Sequence, residues 1–227
     1  MSIPYLNGQY LLPFIVNGKM VKQIYVNGRR EYIDQPMNFA DQVAQQVCVD
    51  HFGINGHISF NLAQKVYSFG NWFKNRTDLV TFTELQGFNN LQTLGDDCFN
   101  GCTSLTAIKL PSRVSTILPR CFKDCSSLAS DLWIPNVGVV NQEAFRGCAS
   151  LKKVDLGSRV GYIHSLAFAY CDALEQLIIR TETPPTIASD ILQNSPNCNV
   201  YVYSRCINRY KAATLWAQYK DIILTID

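Results

Sequence analysis

A period of 23 residues constrains this chain more than any other feature. Cys102, Cys125, Cys148 and Cys171 are evenly spaced, as are Phe99, Phe122, Phe145 and Phe168, and Leu105, Leu128, Leu151 and Leu174. Three columns locked in one phase describe a solenoid, whose units cannot bury their apolar face alone and must stack on one another. Each unit reads as a turn around the Phe, a Ser-Leu or Ala-Leu corner, and a short strand with alternating apolar residues. The second unit carries one extra residue before its strand, Ser130 or Asp131, and one fewer in the following loop, which restores the period.

The same phase explains the cysteines. Nine of them, an odd number in a 227-residue chain, do not suggest a disulfide framework. Cys98/Cys102 and Cys121/Cys125 are four apart, but no matching histidine or second pair completes a zinc site. They read as small apolar fillers of the core, and neither a metal nor a cofactor is expected. With 20 basic and 18 acidic residues the net charge is +2, which gives no field for nucleic acid. No apolar run approaches the ~20 residues of a membrane span, so membrane insertion is not expected. Taking Met1 as the start, the opening Met-Ser-Ile-Pro-Tyr-Leu-Asn-Gly lacks the basic and apolar regions of a secretion signal.

Four regions follow. In residues 1–34, Asn7-Gly8, Asn17-Gly18 and Asn27-Gly28 recur every ten residues between β-prone flanks. Asn-Gly tolerates the positive φ of a type I′ turn, so three tight hairpins are expected. Being too small to be stable alone, they serve either as a β-cap or as a docking or oligomerisation element. Residues 35–87 read as a mainly helical module capping the solenoid. Asn38 or Asp41 is the candidate cap of a helix through Val43, Val47 and Cys48, and a second amphipathic stretch runs from Leu62 to Phe69. The loop between them has the outline of a calcium-binding hand but only Asn55 and Ser59 as donors, with no carboxylate between Asp50 and Asp78. Residues 88–182 hold the repeats. Residues 183–227 form a cap, with a strand at Val200–Tyr203 and an amphipathic helix from Ile207 to Tyr219. The fold class is α/β (α+β): a solenoid of about four to five units preceded by a helical module and a β-hairpin segment.

The units Asp-Cys-Phe-Asn-Gly-Cys-Thr-Ser-Leu and Ala-Phe-Arg-Gly-Cys-Ala-Ser-Leu resemble the BspA-like leucine-rich repeats of surface proteins of anaerobic bacteria. The segment Tyr210-Lys211-Ala212-Ala213-Thr214-Leu215-Trp216 is similar to the helix that often ends such arrays. The resemblance implies non-enzymatic binding, often adhesion, to a protein or glycan on a host or bacterial surface. The Asn-Gly strings resemble docking segments of phage and prophage appendage proteins, which implies as an alternative a structural subunit of a virion, tail or injection appendage held through residues 1–34. A calcium-responsive module is the third reading, with the missing carboxylates against it. Cell surface or virion is the location the resemblance implies.

Between buried strand residues, side chains point outward and stack into columns. Aligning the strands gives the column Lys109, Trp133, Asp155 and Ile178, flanked by Asp131 and Lys153. These six are the candidate ligand-binding residues. Trp133 is either a binding anchor or a cover over the neighbouring insertion or under the amino-terminal hairpins. No phosphate loop, nucleophile elbow or Cys/His pair marks an enzyme, and His164 falls in a repeat loop. A regular array is expected to offer no deep cleft.

Overall fold

The computed structural model describes residues 37–53 and 58–226, together with the backbone of six strands between residues 5 and 32. These strands form three antiparallel pairs: β1 (Tyr5–Leu6) with β2 (Gln9–Tyr10), β3 (Ile15–Val16) with β4 (Lys19–Met20), and β5 (Gln23–Val26) with β6 (Arg29–Tyr32). Each pair brackets one of the Asn-Gly dipeptides. Asn7, Gly8, Asn17, Gly18, Asn27 and Gly28 themselves lie outside the described residues.

Helix α1 (Gln42–Phe52) begins at Asp41, whose Oδ1 accepts the N–H groups of Val43 at 2.7 Å and Ala44 at 3.2 Å. Ala44, Val47 and Cys48, spaced i, i+3, i+4, form its buried stripe. The other oxygen of Asp41 accepts the N–H groups of Val80 at 2.7 Å and Thr81 at 3.0 Å. One carboxylate thus caps the helix and ties it to the first turn of the array. Burial alone would raise the Asp41 pKa, but the four N–H donors hold it below the usual 3.8.

Helical structure in residues 35–87 is less extensive than expected. After α1 there is one turn, α2 (Phe60–Ala63), capped by Ser59, and then the chain enters strands β7 (Ser68–Phe69) and β8 (Thr81–Phe82). The apolar stretch from Leu62 to Phe69 therefore ends in a strand. Its last residue, Phe69, is a buried member of a parallel ladder.

From here the strands alternate between two ladders. They are β9 (Thr93–Leu94), β10 (Ala107–Ile108), β11 (Thr116–Ile117), β12 (Leu132–Trp133), β13 (Val139–Val140), β14 (Lys153–Asp155), β15 (Tyr162–Ile163), β16 (Gln176–Ile178), β17 (Thr186–Ile187) and β18 (Asn199–Tyr203). Helix α3 (Ile207–Ala212) and strand β19 (Ile223–Ile226) complete the order. One parallel sheet runs β7-β9-β11-β13-β15-β17; the other runs β12-β14-β16-β18-β19, with β8 and β10 paired separately. The ladders start before residue 88 and continue past 182, so the bounds drawn from the cysteine column fall inside the sheets. The expected helix from Ile207 to Tyr219 stops at Ala212, and a short 3-10 turn at Ala217–Tyr219 follows.

The core is columnar. The rings of Phe73, Phe99, Phe122, Phe145 and Phe168 stack at 4.9, 5.1, 5.2 and 5.3 Å between successive centroids. Each column cysteine donates its thiol hydrogen to a phenylalanine carbonyl of the preceding turn: Cys102 to Phe73, Cys125 to Phe99, Cys148 to Phe122 and Cys171 to Phe145, at 3.0–3.1 Å. Burial pushes the Cys102 and Cys171 thiols up to about 12 and those of Cys125 and Cys148 upward, so all four keep the proton they donate. In the next turn the pattern persists with different residues. Ile191 stands where Phe is expected, and Ser195 Oγ donates to Phe168 O at 2.7 Å in place of a cysteine. Trp216 then closes the array, its indole N–H donating to Pro185 O at 2.8 Å.

Two outcomes follow. Cys148→Ala, which leaves Phe122 O with only the Cys125 N–H at 3.2 Å, is expected to cost about 1 kcal/mol in denaturant unfolding; Cys148→Ser, which keeps a donor as Ser195 does, costs markedly less. Equal losses would remove the hydrogen bond as the reason for the cysteine. The Asp41 contribution is fully present above the unfolded carboxylate value of 3.8 and is lost as pH falls through the lower folded value. In thermal melts, Asp41→Asn is therefore less stable than the wild type at neutral pH, and the gap narrows below pH 3.8.

Candidate functional site

The extra residue in the second unit breaks the sheet. In the regular turns, Ile134 N–H donates to Asp155 O at 2.8 Å, Leu156 N–H to Ile178 O at 3.0 Å, and Ile179 N–H to Tyr201 O at 2.9 Å. The equivalent bond, from Leu110 N–H to Trp133 O, is absent among the described residues, and β10 does not pair with β12. The two strands still meet at their start, where Thr106 O accepts the N–H groups of Ala129 at 3.1 Å and Ser130 at 3.3 Å. Ser130 Oγ then accepts Ile108 N–H at 3.4 Å, taking the place of a main-chain carbonyl. Beyond this point the strands diverge.

The wedge between them is a cleft of about 330 Å³. Asp131 and Trp133 line it from one strand, Lys109 and Ser112 from the other segment, and Gln86 and Asn89 from an earlier turn. Trp133 is 62% exposed, the highest value of any large apolar side chain among the described residues. It is therefore neither core nor covered by a described segment. Lys109, Asp131, Gln86, Asn89 and Ser112 are also exposed, and Asp131 lies 3.9 Å from the half-buried Lys153.

The strand register reproduces the expected column, with Trp133 opposite Asp155, Asp155 opposite Ile178, and Ile178 opposite Tyr201. The column is not exposed along its length. Asp155 and Ile178 are each only 6% exposed, which corrects their reading as ligand contacts. Asp155 accepts a fork of hydrogen bonds from Arg180 Nε at 2.9 Å and Nη2 at 2.7 Å, and its Oδ1 also accepts Gly157 N–H at 3.0 Å. The hydrogen bonds to this carboxylate in turn raise the Arg180 pKa above the ordinary guanidinium value. Gly157 sits at φ +66° against the carbonyl of Pro135, a backbone that admits no side chain. Asp155 therefore fixes a turn, and Ile178 lies beside the ion pair. Of the six candidates, Lys109, Asp131 and Trp133 meet at the cleft and Lys153 borders it.

Gln86, Asn89 and Ser112 were missed from sequence. Gln86 lies in a 3-10 turn at Thr83–Gly87, before the repeats the cysteines mark, and only the stacking of turns brings it to Trp133. Among the described residues no group of three His, Cys, Asp or Glu side chains is placed to hold a metal ion, and no helix is long and apolar enough to cross a membrane.

A family model for the BspA type leucine rich repeat region matches residues 59–199 in six copies. The chain belongs to this BspA-type family. The match takes in β7 and β8 at one end and Ser195 at the other, in accord with the ladders rather than with the cysteine column. Among solved structures, the chain is similar to a leucine-rich repeat protein from Bacteroides ovatus, at 19% identity and a TM-score of 0.42, over 60% of this chain and 43% of that one. This chain thus spans less than half of that protein's length. A comparison with curated proteins gave no match.

The two ends of the column differ in what their loss does to stability. Trp133→Ala should change unfolding free energy by under about 0.5 kcal/mol, as for other exposed sites. Asp155→Ala should cost about 2 kcal/mol through the lost charge-assisted bonds. A large loss for Trp133→Ala in chemical denaturation would make it a packing residue.

Proposed function

We propose that this BspA-type chain is a non-enzymatic recognition module that binds a protein or glycan partner at the interrupted strand face, with Trp133 as the anchor. The observation that carries this reading is a tryptophan 62% exposed on the wall of a cleft. Exposing so large an apolar surface is unfavourable, and tryptophan in such a position is the residue most enriched at binding hot spots. The rest of the strand face supports the anchor rather than joining it. The Asp155–Arg180 pair and Ile178 keep the neighbouring turns rigid, so the cleft wall is set before a partner arrives.

The test is surface plasmon resonance of wild type and Trp133→Ala over immobilised matrix glycoproteins and bacterial surface polysaccharides. Wild type should bind at least one of them, and the variant about 30-fold more weakly with unchanged melting temperature. Binding that survives Trp133→Ala undiminished, or no binding by the wild type, would overturn the reading.

A further inference from the structure

We infer that the cleft takes a glycan, with one pyranose ring seated against the face of the Trp133 indole; this rests on the recognition reading above and names its ligand class. The shape of the cleft is the first argument. An open pair of strand edges ordinarily invites an extended peptide, which adds a strand and pairs its main chain. Here the edges are pinned together at one end, where Thr106 O holds both Ala129 and Ser130 N–H, and Ser130 Oγ occupies the next position. A third strand has no room to enter in register. Trp133 and Ser112 line the wedge beyond the pinned end, and its volume of about 330 Å³ lies at the small end of the ~300–1,000 Å³ of ligand clefts. That suits a compact ring rather than a length of polypeptide.

The chemistry of the lining is the second argument. Gln86 and Asn89 offer amide donors and acceptors, Ser112 a hydroxyl, Asp131 a carboxylate and Lys109 an ammonium. Leu110 N–H and Trp133 C=O add a main-chain donor and acceptor that the broken ladder leaves without each other. A saccharide matches this set, because its ring hydroxyls both donate and accept while its C–H face is apolar enough to lie on an indole. Phosphate-bearing ligands match it poorly. The lining holds one cation, Lys109, together with the carboxylate of Asp131, so positive charge is not concentrated there.

Gastric mucin, a heavily glycosylated protein, serves as the probe in three immobilised forms: intact, digested with protease, and oxidised with periodate, which cleaves the vicinal diols of sugar rings. An array of defined oligosaccharides accompanies it. Wild type is expected to bind intact and protease-digested mucin and to lose binding on periodate treatment. Trp133→Ala should weaken binding about 30-fold, and Gln86→Ala and Asn89→Ala each about 5-fold, with circular dichroism unchanged. Binding that resists periodate but is lost on proteolysis would make the ligand a polypeptide; the glycan inference would fall and the recognition reading would stand. Mucin binding unaffected by Trp133→Ala would overturn both. Absence of binding to mucin and to every oligosaccharide at about 1 mM would overturn the glycan inference, since sites weaker than this retain only ~4 kcal/mol of binding free energy.

Discussion

Each turn of the array holds a phenylalanine carbonyl in a dry interior, and the next turn reaches it with a side-chain donor: Phe122 O accepts Cys125 N–H at 3.2 Å from its own turn and the Cys148 thiol at 3.1 Å from the following one. That second bond joins one turn to the next through the core and contributes about 1 kcal/mol. No neighbouring strand reaches this position, because it lies in the turn between the two ladders. A thiol meets the need: it is a small donor that packs as an apolar group, and burial keeps it protonated. Ser195 shows that the requirement is for a donor of this size rather than for sulfur. The spacing of the donor column, the Phe stack and the strand register are therefore one constraint seen three ways.

A lattice this regular gives meaning to a single irregularity. One extra residue near Ser130 delays β12 with respect to β10, and the shift costs a stretch of pairing. Ser130 keeps part of what is lost by offering a hydroxyl to Ile108 N–H. Past that contact the two strands cannot close without moving Asp131 and Trp133 out of the register that pairs Trp133 with Asp155 in the following turn. The cleft is held open from its far side, by the ladder that continues correctly. At the other end of the same face, Arg180 folds over Asp155 and removes that stretch from solvent. On the proposed reading, recognition is thereby concentrated at one place on a surface whose periodicity would otherwise make every turn alike.

The helical module shows a related economy. Asp41 serves two structures with one side chain, capping α1 and receiving the first main-chain donors of β8. A solenoid needs its first turn covered, and here the cover is joined through a charged acceptor to N–H groups that have no preceding turn to bond. The far end uses Tyr210 and Trp216, large side chains whose polar tips reach Thr181 and Pro185 carbonyls. The two caps solve the same problem with opposite chemistry.

The repeat unit, its period, the burial of the cysteines and the outward column were legible in the sequence, because each follows from local alternation and fixed spacing. Residues that hold their place without matching the pattern were not. Phe73, Ile191 and Ser195 stand in the core columns, yet they interrupt the Cys and Phe series on which the repeat bounds were drawn. The insertion was also visible in the sequence, but not its effect, since a delayed strand either slips its register or opens a gap. The sequence alone determined that the chain stacks 23-residue turns and that Trp133, Asp155 and Ile178 share a face. Only the tertiary structure decided which of them meets solvent. That depends on Arg180 reaching back one turn and on Gln86 and Asn89 arriving from earlier ones, contacts between residues far apart in sequence that no local pattern encodes.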